Sequence, residues 1–245
     1  MRSALLVLLV ASVLPRSAFA QLPDVEEGVT FEALPSLWRQ VLVNHSASRL
    51  VAFHAPFRCP KGGPVVIYDS ILYSGNREVG AGESVEIDIG DPSRCSGHVD
   101  AAIFSDGRAE GDPQVLGDIY AARRGAYRAL GEATRVLNSI PSEHQSIEHA
   151  VDALTAKKQT ALSETTASGA GYRFVLSVAL DALTDPHRVN PALPSDNRGQ
   201  KLPAVEDVMS TTGLSREEAR AIVFSKRLEG WKSLLENNLA GGPPF

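Results

Sequence analysis

Cysteine, aromatic side chains and excess positive charge are all scarce in this chain. Two cysteines in 245 residues are too few for a disulfide scaffold. Lys and Arg number 24 against 29 Asp and Glu, a formal net charge of −5, so non-specific nucleic-acid binding has no electrostatic footprint. Only 22% of the residues are charged while 43% are hydrophobic, which excludes a chain disordered throughout. Past the N-terminus no run is apolar and long enough to span a bilayer, and no internal repeat stands out. The length allows one large domain or two small ones.

The first twenty residues read as a secretory signal peptide. Arg2 supplies a positive start, Ala4 to Leu14 is apolar and uncharged, and Pro15-Arg16 ends the run. Ala18-Phe19-Ala20 gives the small-x-small pattern that places cleavage after Ala20. Losing Arg2 and Arg16 takes the net charge to about −7. Export, periplasmic or extracellular, changes how Cys59 and Cys95 are read. In an oxidising compartment a lone pair is expected to form a disulfide, closing a loop of roughly 37 residues worth about 3–4 kcal/mol in the chain-entropy model.

Two halves follow with different periodicity. From about Val29 to Glu110, apolar segments at Val41–Val43, Leu50–Phe53, Val65–Tyr68, Ile71–Tyr73, Val85–Ile89 and Val99–Phe104 alternate with turn residues. This spacing predicts a small antiparallel sandwich over residues 21–111, immunoglobulin-like in the first instance, stapled by Cys59 and Cys95. After Gly111 the period becomes helical. Asp112-Pro113 is an N-cap with proline at N1, and Leu116, Ile119, Ala126, Leu130, Ala133 and Leu137 mark one face as far as Ile140. Ser142 with Gln145 reads as a capping box for a second helix, with Ile147, Val151, Leu154 and Ala161/Leu162 as its apolar face. Ser168-Gly169-Ala170-Gly171 reads as its break, and Tyr172–Leu183 as a third helix. Thr184–Leu202 is a loop by composition. Leu202–Thr212 is a short helix stopped by Gly213, and the Ser215/Glu218 box opens a last helix to about Leu239. The expected class is α+β, with four or five helices over residues 112–245.

Motifs for chemistry are weak. No Gly-x-Ser-x-Gly occurs, and Ser195-Asp196-Asn197 lacks the Ser-x-x-Lys and Lys-Thr-Gly that would make it a β-lactamase signature. His144 and His149 are five residues apart, about 140° around a helix, and do not converge on one ion. Asp106, Glu110 and Asp112 lie close in sequence but do not match a calcium loop. Gly80-Ala81-Gly82 precedes a strand, whereas a dinucleotide loop opens a helix. Val208–Ala219 resembles a helix-turn-helix or ubiquitin-associated corner, which any short helix corner also satisfies. Arg123, Arg124 and Arg128 with Tyr120 and Tyr127 read as a helix core with a basic rim. His45, His54 and His98 lie in the β half, and Asn44-His45-Ser46 is a glycosylation sequon in a eukaryotic secretory host.

The turn and strand signals Val43–Ser46, Asp69-Ser70, Gly82–Ser84, Ala102–Gly107 and Glu110–Asp112 are similar to those of uncharacterised exported bacterial proteins with an immunoglobulin-like sandwich and a helical tail. The resemblance spans about 85 residues and implies ligand binding, adhesion or assembly, with no catalytic residue carried over. The expected function is a non-catalytic binding or structural module for a protein or glycan partner, without cofactor, presenting the loops Asn44–Ser48 and Pro56–Gly63. One alternative is a hydrolase or metal enzyme whose site gathers His54, His98, Asp69 and Asp106 between the halves. A further alternative makes the helices an oligomerisation or partner-docking unit.

Overall fold

The computed structural model describes residues 29–34, 39–60, 62–73, 77–87, 95–143, 145–185, 193 and 202–239. The signal-peptide segment, His144, the Ser195-Asp196-Asn197 tripeptide and nearly all of the Thr184–Leu202 loop lie outside them. The chain is α+β, as expected. Strands β1 (Val29–Leu34), β2 (Arg39–Asn44), β3 (Leu50–Arg58), β4 (Val65–Asp69), β5 (Ser84–Ile87), β6 (Ser96–Gly97), β7 (Ala101–Phe104) and β8 (Ala109–Gly111) precede helices α1 (Pro113–Glu143), α2 (Ile147–Thr160), α3 (Ala167–Thr184), α4 (Val205–Thr212) and α5 (Arg216–Leu239).

The strands form two antiparallel sheets, ordered β1-β2-β5 and β4-β3-β7-β8, with β6 pairing the end of β3. Alternation along the strands sends Leu42 and Ile87 from one sheet, and Phe53, Ala55, Phe57, Tyr68 and Phe104 from the other, into one shared apolar cluster. The Cys59–Cys95 disulfide forms, with Cα atoms 4.3 Å apart. Its place follows from register: Phe57 opposes Gly97 and Arg58 opposes Ser96, so the cysteines are the next opposed pair.

Ile71-Leu72-Tyr73 corrects the strand expectation. These residues form a turn after β4 whose apolar side chains enter the helical core, with Ile71 and Leu72 packed among Leu130, Val175 and Trp231. Asp69 Oδ1 accepts the Ile71 and Leu72 amides at 2.8 and 3.1 Å, which shapes the turn as an N-cap shapes a helix start. The Trp231 indole donates to the Ile71 carbonyl at 2.8 Å, so α5 closes on the same turn.

Helix α1 begins as expected, with Asp112 Oδ1 accepting the Gln114 amide at 2.7 Å. Its 31 residues extend about 46 Å. Leu116, Ile119 and Tyr120 cover Ala52, Ala101 and Ile103 of the second sheet, and Ala126 to Ile140 continue into the helical core with α3 and α5. Several helix boundaries differ from expectation: α4 starts at Val205 and not at Leu202, and α2 ends at Thr160. Ser142 lies in the last turn of α1, which ends at Glu143, and the cap of α2 is Ser146, whose hydroxyl accepts the His149 amide at 3.2 Å. Ser168–Gly171 does not break a helix but lies inside α3, which Thr166 caps. The glycines there serve close packing: a Cβ on Gly171 would overlap the Ala122 carbonyl of α1, and one on Gly125 the Ser168 carbonyl of α3. Leu162, read as core, is 56% exposed. The C-terminal signals hold: Gly213 closes α4 with φ 72°, and Ser215 and Glu218 cap α5 reciprocally.

Candidate functional site

The residues singled out from the sequence are dispersed. Asp69, 1% exposed, is clamped by Arg123, whose Nε and Nη2 donate to its two oxygens at 2.8 and 3.1 Å. Arg123 is itself buried beneath Tyr120, so it belongs to the core and not to a basic rim. With two backbone amides and a guanidinium on one carboxylate, Asp69 is a structural joint between β4 and α1 with no face left for substrate. Asp106 is exposed, held by Ser48 at 2.5 Å and by the Arg108 amide at 3.0 Å, and these bonds lower its pKa. Glu110 pairs with Arg108 at 2.8 Å, and Asp112 caps α1. Arg108 thus ties Asp106 and Glu110 together, while Asp112 serves α1. His98 is exposed, and no group of three or more His, Cys, Asp or Glu side chains able to hold a metal occurs among the described residues.

His54 does find a carboxylate that sequence reasoning missed: its Nδ1 lies 2.6 Å from Asp100 Oδ1. The two are 46 positions apart and meet because β3 and β7 are neighbours with His54 opposite Ala101. A hydrolytic triad needs a hydroxyl or thiol hydrogen-bonded to the other ring nitrogen. Among the described residues His54 makes no such bond to Ser, Thr or Cys. The sequon residue Asn44 has no exposed surface. Its amide donates to Val79 and Ser48 carbonyls at 2.8 and 2.9 Å and accepts from the Ser46 hydroxyl, so it shapes its own loop and offers nothing to a glycosyl transferase.

The β3–β4 hairpin presents the apolar surface. Val65 and Ile67 of β4 are 55% and 51% exposed, although β-branched side chains usually face the core. They oppose Pro56 and His54 of β3, making a strip of two β-branched residues, a proline and an imidazole. β4 ends its sheet. The Phe57 amide bonds to the Pro64 carbonyl and the Ser70 amide to the Val51 carbonyl. Antiparallel alternation between these two bonds turns the Val66 and Tyr68 backbone toward β3, and the amides and carbonyls of Val65 and Ile67 outward. The disulfide and the turn bond from the Gly62 amide to the Cys59 carbonyl hold the hairpin tip. His54–Asp100 and the Phe53–Tyr68 ring stack, with centroids 4.9 Å apart, hold its two faces.

A polar cleft of about 330 Å³ lies where α1, α2 and α3 meet. Glu132 Oε2 accepts from Lys157 at 2.7 Å and from the Tyr172 hydroxyl at 2.9 Å, while Arg128 lies over the Tyr172 ring. Burial and its bond to Glu132 push the Tyr172 phenol up to about 12, so it stays a donor. Burial opposes ionisation of Glu132, but its two donors outweigh that and lower its pKa. Each charge is matched inside the cleft, which makes it a three-helix tie. Comparison with protein families, curated proteins and solved structures finds no match for this chain.

Proposed function

We propose that the protein is an exported, non-catalytic binding module in which an immunoglobulin-like frame presents the β3–β4 hairpin to a protein partner by strand addition. The carrying observation is that β4 joins two exposed β-branched residues, Val65 and Ile67, to a row of backbone donors and acceptors that no described strand pairs. Main-chain pairing along such an edge supplies affinity and the alternate side chains supply selectivity. An unprotected apolar edge is otherwise an aggregation liability. The immunoglobulin-like reading is supported by strand order, since β1-β2-β5 opposite β4-β3-β7-β8 corresponds to an A-B-E sheet facing C′-C-F-G. Kinship with exported sandwich proteins bearing helical tails is part of this proposal, and so is export, for which the leader-like N-terminus and the disulfide speak. The experiment is affinity capture from the source organism's envelope extract with wild type and Ile67→Lys. A protein retained by wild type and lost from the variant at unchanged Tm is the expected result. Equal retention by both, or no retention by wild type, overturns the proposal.

A further inference from the structure

Helix α4 sits on the first half of α5 through a small core of its own, made by Val208, Ala219 and Val223. The main helical core begins further along with Ala221, Phe224 and Leu228. Where the two cores diverge, the end of α3 and the start of α2 face α4 across a cleft of about 590 Å³, within the roughly 300–1,000 Å³ usual for small-molecule sites. Ile147, Leu183, Val205 and Phe224 give it an apolar lining. Its charged groups are not equivalent. Arg216 pairs with Glu206 at 3.0 Å on the exposed rim. Glu217 is exposed in the first turn of α5, where the helix dipole favours a carboxylate. Arg220 is half-buried in the wall and, among the described residues, has neither a hydrogen-bond nor an ion-pair partner. A partly desolvated guanidinium next to hydrocarbon is complemented by an anion, and its planar fork matches a carboxylate.

We propose that this cleft binds a small amphipathic carboxylate, with its alkyl chain on Leu183, Val205 and Phe224 and its carboxylate on Arg220. The site is separate from the β3–β4 hairpin and does not depend on strand addition there. The test is calorimetric titration of the purified protein with octanoate and, separately, with 1-octanol, which keeps the chain and removes the charge. Octanoate is expected to bind saturably at one per chain and about tenfold or more tighter than octanol, the scale of a hydrogen bond to a charged group. Arg220→Gln should bring octanoate down to the level of octanol and leave octanol and Tm unchanged, while Val205→Asp should weaken both. Unsaturable binding of octanoate, equal affinity for acid and alcohol in the wild type, or full octanoate affinity in Arg220→Gln each overturns the proposal.

Discussion

Asp69 and Arg123 show what a single pair does here. Each side chain is 1% exposed, so water cannot take the place of either partner, and the carboxylate also caps the turn that inserts Ile71 and Leu72. Removing one partner strands the other: Arg123→Met should cost about 3–5 kcal/mol in chemical denaturation, whereas Arg124→Met, on the exposed flank, should be nearly neutral. Glu132 makes a pH-dependent contribution. Its folded pKa lies below the ordinary 4.5, so its stabilisation is complete above that value and is lost as pH falls through the folded pKa. Between neutrality and pH 3, wild type should therefore lose more stability than Glu132→Gln, read from Tm against pH; parallel profiles would count against the tie to Lys157 and Tyr172. Asp69 was legible as a turn residue and as a candidate site member, but its role was not. The partner is 54 positions away, and sequence alone places Arg123 only on a helix.

At the scale of elements, glycine carries the lesson. Gly169 and Gly171 are ordinary helix breakers by propensity, yet α3 runs through both: a Cβ on Gly171 would meet α1 at Ala122, and one on Gly169 would meet Glu164 just before the helix. Gly171→Ala and Gly125→Ala should each destabilise by about 1–3 kcal/mol through overlap with the facing backbone. Gly117→Ala, with nothing within 4 Å of its added Cβ, should instead stabilise by up to about 1 kcal/mol from helix propensity. Thermal melts of the three variants separate steric packing from propensity directly. Helix starts that depend on one side chain and its own backbone, at Asp112 and at Ser215/Glu218, were readable in advance. The start of α2 was not, because Ser142 and Ser146 both offer a hydroxyl and only the continuation of α1 through Pro141 selects the second. Ile71–Tyr73 was misread for a related reason, since a short apolar run looks the same in a strand and in a turn buried by other elements.

The whole molecule is two halves with one seam. The turn after β4 lies within the helical core, Asp69 is clamped by α1, Trp231 bonds to Ile71, and the first turns of α1 cover the second sheet. The halves should therefore unfold together, giving coincident urea transitions by far-UV circular dichroism and by indole fluorescence; two separated transitions would show that the seam is weak. The Cys59–Cys95 bond lies in the β half, so its reduction should lower stability by about 3–4 kcal/mol, read as a lower common midpoint without splitting the transition. By itself the sequence determined the α+β class, the change from period two to helical period near Asp112, the pairing of its two cysteines and the caps of α1 and α5. All of these depend on local patterns or on having only one partner to choose. Tertiary structure decided what Asp69, His54, Gly171 and the Ile71 turn do, left Val65 and Ile67 exposed, and set Arg220 half-buried in a cleft wall. Those outcomes depend on which distant backbone or charge arrives beside each residue, and a linear pattern does not carry that information.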